Sequence, residues 1–221
     1  GDLCTSMEVL ELFLINASNY PEINFNLFLN DYNDKRIDNI KNIVKKMYNG
    51  KTYNNIFIYY SVDDVNNYIC NFTLFDSYLM WPASTLIFVD PYSFRVVRID
   101  LLKEFIRRYY CELSFNVFTS DYVRNKNDED IYDCLGCNKR FRTTEEIIKY
   151  VTNQLKIEKM KYAFSYAFKN SKNTEIYQIL FITPSLVGLE KLKEALRKVF
   201  EGIDEYRNPR QGDTQLDLFT T

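Results

Sequence analysis

Ser84-Thr85-Leu86-Ile87-Phe88-Val89-Asp90-Pro91-Tyr92-Ser93-Phe94 is an apolar, β-rich run that ends abruptly in an acid, a proline and an aromatic residue. A strand covered on both faces is a near-continuous apolar run, and ligands of open α/β sheets bind beyond the carboxyl ends of such strands. The run therefore predicts a buried central strand that delivers Asp90, Pro91 and Tyr92 to a polar corner. An ordinary turn explains the same three residues, since proline cannot continue a central strand and aspartate is a common turn residue. The segments on either side have to decide between the two.

Upstream, Met7 to Leu14 reads as a helix broken by Pro21, and Ile23 to Asn30 alternates apolar and polar residues like a strand. Asp31-Tyr32-Asn33-Asp34 then opens a helical stretch that stops at Asn49-Gly50, a left-handed C-terminal signal. The pattern then repeats: Asn55 to Tyr60 is a strand, Asp63 and Asp64 supply an N-cap, and Val65 to Leu79 is predicted as one helix. Downstream of the opening run come a helix over 97–110 and a strand over 112–118. Strands alternating with helices of this length predict right-handed βαβ units and a mainly parallel sheet. Residues 119–143 are polar and charged and read as a lid, an insertion or a mobile loop. A helix from Thr144 precedes two strands, Tyr162 to Phe168 and Ile176 to Ile182, whose short connection makes them antiparallel neighbours. Leu186 to Val199 is a last amphipathic helix. The expected organisation is one domain over 1–203 and a polar tail over 204–221 outside the core.

Composition closes off several chemistries. Histidine is absent, which removes Ser-His and Cys-His nucleophilic catalysis and every His-dependent zinc site. A formal net charge of -2 gives no basic field for nucleic acid, so any such contact must be local. No run approaches the ~20 apolar residues of a membrane span, and a cytoplasmic chain with no membrane partner is expected. Five irregularly spaced cysteines predict reduced thiols. Cys134-Leu135-Gly136-Cys137 is a lone C-x-x-C, read as a loop or helix end ahead of a metal or redox site, and no metal is expected.

Parallel strand-helix repeats finished by an antiparallel hairpin follow the order of elements of the class I methyltransferase fold. Phe88-Val89-Asp90-Pro91-Tyr92, Phe115-Asn116 with Arg124 beyond it, Asn170-Ser171-Lys172, Ile176-Tyr177, Leu180-Phe181-Ile182-Thr183 and the block Gly188 to Ala195 resemble the three-Cys-motif partner family. The similarity spans roughly Met7 to Phe219, with the final block its most specific part. The resemblance implies an α/β, Rossmann-like sheet of class I methyltransferase type, mainly parallel with a C-terminal antiparallel hairpin and helices on both faces. It also implies S-adenosylmethionine as cofactor and a radical-SAM-like three-cysteine protein as partner.

Departures from the family accompany the matches. Its glycine-rich turn, which holds the methionine end of the cofactor, has no counterpart in a chain that opens at Gly1-Asp2-Leu3-Cys4, and its C-terminal helical domain is missing as well. A core cut at both ends, or a degenerate member, is expected, with weak cofactor binding or none. By the resemblance Asp31 meets the ribose hydroxyls, with a helix cap as its alternative, and Asp63 or Asp64 meets the adenine amino group, where an N-cap serves equally well. Asp90, Pro91, Tyr92 and Asn116 would form the catalytic corner, Asp90 accepting from a target amine while the aromatic ring stacks on a flipped base. Three functions remain: a methyltransferase-like protein with nucleic acid among its substrates, a non-catalytic partner subunit that docks the radical-SAM-like protein, and, ranked last, a zinc or redox module built on Cys134 and Cys137. In the tail, Gln215-Leu216-Asp217-Leu218-Phe219 resembles the peptide by which bacterial DNA-processing proteins dock on the replication sliding clamp. A linker accounts for it as well.

Overall fold

The computed structural model describes residues 5–80, 83–170, 172–199 and 206–207. Gln215 to Phe219, the clamp-like segment, lies outside the described residues. The molecule is mixed α/β with both parallel and antiparallel pairing, and it divides into two compact units at Tyr68 and Ile69.

In the first unit, helix α1 (Thr5–Ala17), strand β1 (Phe25–Asn30), helix α2 (Asp34–Tyr48) and strand β2 (Ile56–Ser61) form one strand-helix-strand unit, with β1 and β2 parallel from Phe25 opposite Ile56 to Asn30 opposite Ser61. Its core gathers Met7, Leu10 and Ala17 of α1 with Leu29, Val44 and Ile56. The ends of α2 follow local rules: the Asn33 side chain accepts from the Lys35 and Arg36 N–H groups, and Asn49 takes the left-handed conformation at φ 45°. Buried Asn55 donates its amide to the carbonyls of Ala17, Tyr20 and Ile23 at 3.0–3.1 Å, which satisfies the connection from α1 to β1.

The helix predicted over Val65 to Leu79 is two helices, α3 (Val65–Ile69) and α4 (Phe72–Leu79). Between them Asn71 turns its side chain onto the Leu74 N–H at 3.2 Å, and an asparagine used this way starts a helix instead of continuing one.

The second unit carries β3 (Thr85–Val89), α5 (Ile99–Arg108), β4 (Cys111–Val117), α6 (Thr119–Asn125), α7 (Glu129–Leu135), α8 (Thr144–Leu155), β5 (Tyr162–Lys169), β6 (Glu175–Thr183), α9 (Leu186–Val199) and the short β7 (Tyr206–Arg207). The strand order is β3-β4-β6-β5-β7, with β3 parallel to β4, β6 antiparallel to both β4 and β5, and β7 parallel to β5. Three expectations are corrected here. The apolar run at β3 is the outermost strand of this sheet and not its centre: Leu86 and Phe88 are 59% and 38% exposed, whereas nearly every residue of β4 and β6 is buried. Of the lid, insertion or mobile loop expected over residues 119–143, only the loop is overturned, because the segment folds α6 and α7 around buried Tyr122, Ile131, Leu135 and Phe141. The tail is not wholly separate, since Tyr206 and Arg207 pair with Phe168 and Lys169.

Gly188 of α9 faces the Glu112 carboxylate and the Thr183 hydroxyl, themselves bonded at 2.8 Å, and a Cβ at this position would run into both. Gly188→Ala is expected to cost up to about 2 kcal/mol, because overpacking of about 1–3 kcal/mol is offset by a helix-propensity gain of about 1 kcal/mol. In a Glu112→Ala background the same change should cost less, since only the Thr183 hydroxyl is left in the way; urea denaturation of the four proteins measures the coupling.

Candidate functional site

Parallel pairing of β3 with β4 sets Val89 opposite Phe115, so the next residue of each strand meets its neighbour at the carboxyl edge. There the Asn116 side-chain amide donates to Asp90 Oδ1 at 2.7 Å. Asn116 is buried and its Oδ1 has no hydrogen-bond partner, an unusual state for a native interior. Burial of the carboxyl raises the Asp90 pKa, and the bond from Asn116 takes back part of that rise. As a whole residue Asp90 is nevertheless exposed.

Pro91 and Ser93 are buried, and Tyr92 between them is 81% exposed. An aromatic ring held out by two anchored neighbours costs little ordering when a flat ligand lies on it. The anchor below is Asp121 of α6, which the sequence reading did not single out. Its Oδ2 accepts from the Ser93 hydroxyl at 2.8 Å and the Phe94 N–H at 2.9 Å, and its Oδ1 accepts from the Asn125 amide at 2.7 Å. Burial alone would raise the Asp121 pKa, but the donors at Ser93, Phe94 and Asn125 together with nearby Arg95 outweigh it, so the pKa is lowered. Arg95 continues the clamp with a 2.6 Å ion pair to Asp128.

Asp90, Tyr92 and Asn116 thus stand together at one sheet edge, as their strand-end positions predict. The arrangement offers a partly desolvated carboxylate to an N–H or O–H donor and a ring face to a planar group. Charging Asp90 is disfavoured in the fold, so the native state holds its proton to higher pH than the unfolded chain does. Stability tied to this group is therefore full below the unfolded carboxylate pKa and falls as pH rises toward the raised folded value. Asp90→Asn removes that loss and is expected to stabilise the protein at pH 7, by no more than about 1 kcal/mol for a group that keeps solvent access. Denaturant midpoints from pH 3 to pH 8 for both proteins test the sign.

The three acids expected to hold a cofactor lie in the first unit, on the loops that follow β1 and β2. Asp31 Oδ1 accepts from the Asn33 N–H at 2.8 Å, and its Oδ2 meets exposed Arg36 at 3.4 Å. The cap of α2 is Asn33 and not Asp31. Asp63 Oδ1 accepts from the Asp64 N–H and the Asn67 amide, while Asp64 caps α3 through the Asn66 and Asn67 N–H groups. Asn30, also unforeseen, joins the two loops by donating to the Asp63 carbonyl at 3.1 Å. Asp64 is consumed as a cap; Asp31, whose Oδ2 carries one long contact, retains room for a hydroxyl donor. Among the described residues no three or more His, Cys, Asp or Glu side chains gather as metal ligands, and no helix is long and apolar enough to cross a membrane. Compared with known proteins, the chain matches no family model, no curated protein and no solved structure.

Proposed function

We propose that this chain is a methyltransferase-like protein of the three-Cys-motif partner kind, with a Rossmann-like core, whose Asp90–Tyr92 corner receives a planar, amine-bearing acceptor such as an unstacked nucleobase. The observation that carries the reading is the 2.7 Å bond from buried Asn116 to Asp90 at the ends of two parallel strands, beside the exposed ring of Tyr92. The parallel strand-helix units followed by the β5–β6 hairpin support the same reading. S-adenosylmethionine, when bound, supplies an electrophilic methyl group. Within the second unit, Asn116 orients the Asp90 carboxyl, Asp90 accepts from the acceptor amine, and Tyr92 stacks on its ring; within the first unit, taken by itself, Asp31 keeps a carboxylate oxygen for a ribose hydroxyl. The second reading, a non-catalytic partner subunit, draws on the engagement of Asp31, Asp63 and Asp64 in their own turns.

Calorimetric titration with S-adenosylmethionine is expected to give a dissociation constant weaker than about 10 µM, or about -7 kcal/mol. Tighter binding would overturn the view that these acids are largely committed to local structure. A labelled, adenine-containing single strand is expected to bind with an affinity that Tyr92→Ala lowers by about 1–3 kcal/mol, the usual worth of one aromatic-base stack. If neither ligand binds, or if Tyr92→Ala changes nothing, the acceptor-site reading falls and the partner-subunit reading stands.

A further inference from the structure

The C-x-x-C segment lies at the end of α7, where Gly136 takes the left-handed conformation at φ 66° and the Cys137 N–H returns to the Tyr132 carbonyl at 3.1 Å. This turn leaves one thiol in the last turn of α7 and the other three residues on, just past the helix end. Cys134 is buried at 7% exposure and donates its S–H to the Arg95 carbonyl at 2.9 Å, while Cys137 is only partly covered. A hollow of about 440 Å³ opens over both, lined by Arg98, Asp133, Cys134, Gly136, Cys137 and Asn138. A Cβ on Gly136 would meet nothing within 4 Å, so there is free space around the turn as well as backbone freedom in it.

We infer that Cys134 and Cys137 form a redox-active dithiol that a hydroperoxide entering this hollow converts to an intramolecular disulfide. The Cys137 thiolate attacks the peroxide oxygen and the O–O bond breaks, giving a Cys137 sulfenic acid and the reduced alcohol or water. The Cys134 thiol then displaces the sulfenic hydroxyl; its proton leaves in the water formed, and the S–S bond closes. Two electrons pass from the thiols to the peroxide, and each step balances. The roles follow from position: the more accessible Cys137 attacks, and Cys134 resolves. Burial pushes the Cys134 thiol pKa up, with Arg98 pulling it down and Asp130, Asp133 and Asp100 pushing it further up, which suits the resolving partner better than the attacking one. Forming the disulfide removes the S–H that Arg95 accepts. The site thereby reaches the Ser93–Arg95 segment beneath the corner, although its chemistry does not depend on the function proposed above.

The test treats the intact chain with hydrogen peroxide, blocks remaining thiols with iodoacetamide after unfolding, and maps peptides by mass. The expected result is loss of two hydrogen masses from the peptide containing Cys134 and Cys137, with neither thiol alkylated, fully reversed by dithiothreitol. Cys111 serves as an internal control: burial pushes its pKa up to about 12, and it should stay reduced. Cys137→Ser should leave Cys134 fully alkylatable, and Cys134→Ser should carry Cys137 on to sulfinic acid. Recovery of Cys137 as sulfinic acid in the wild-type chain with Cys134 still alkylatable would overturn the inference. So would exclusive oxidation at exposed Cys70.

Discussion

Asp121→Ala is expected to lower the stability of the second unit by about 3 kcal/mol at pH 7, read as a shift of the denaturation midpoint by circular dichroism. The carboxylate is buried and accepts from three separate donors, on Ser93, Phe94 and Asn125. Alanine leaves the Ser93 hydroxyl and the Phe94 N–H facing an apolar gap, and each buried donor left unsatisfied costs about 1–3 kcal/mol. The sign of the pH dependence follows from the lowered pKa. A carboxylate whose folded pKa is depressed contributes stability that is present above the unfolded value, about 3.9, and is lost as pH falls through the folded value. The gap between wild type and Asp121→Ala should therefore be constant above about pH 5 and narrow below about pH 4. Asp121→Asn, which keeps an acceptor oxygen but places an amide against one donor, should fall between them. A gap that widened in acid would mean that the carboxyl is protonated in the native state and that the bond assignments are wrong.

The second large effect is expected from Leu113→Ala. Leu113 is fully buried in the middle of β4, opposite Ile87 on one side and Ile182 on the other. Truncating a buried leucine costs about 2–5 kcal/mol according to how far the surroundings collapse, and a side chain held between two paired strands collapses little, so about 4 kcal/mol is expected. Leu86→Ala on β3 is the matching control. It removes the same atoms from a residue that is 59% exposed, and should change stability by no more than about 0.5 kcal/mol. Comparable losses at the two positions would restore β3 to the interior and dismiss the strand order β3-β4-β6-β5-β7. Urea denaturation of both variants, compared at equal slope, decides the matter.

That contrast also marks how far the sequence could be read. Strand and helix identity is a local property, so the alternation through 23–60 and the Asn49-Gly50 stop revealed β1, α2 and β2 nearly residue for residue. The hairpin of β5 and β6 was equally legible from its short connection. The neighbours of a strand are not local: Leu86 to Val89 is as apolar as a central strand, and only the arrival of β6 beside β4 leaves β3 at the margin. The same limit hid α6 and α7, whose charged residues dominate the composition while Tyr122, Ile131 and Leu135 turn inward. At the corner, Asp90, Tyr92 and Asn116 were legible because each lies at or just beyond the carboxyl end of a strand. Asp121 was not, because its partners lie 27 and 28 residues away and its own surroundings read as a polar run.

The place of β6 bears on how the protein emerges from the ribosome. The partner that covers β4 on its second side is supplied by Glu175–Thr183, long after β4 itself at Cys111–Val117 has been synthesised. During that interval the nascent chain carries a β4 edge with open backbone groups and apolar side chains, the kind of surface that recruits other unfinished chains. The β1–β2 pair is closed once Ser61 has left the exit tunnel and has no such waiting period. Translation that stalls between 118 and 175 should thus leave a protein with β1 and β2 paired and a sticky second unit, making that window the one in which this chain most needs a chaperone.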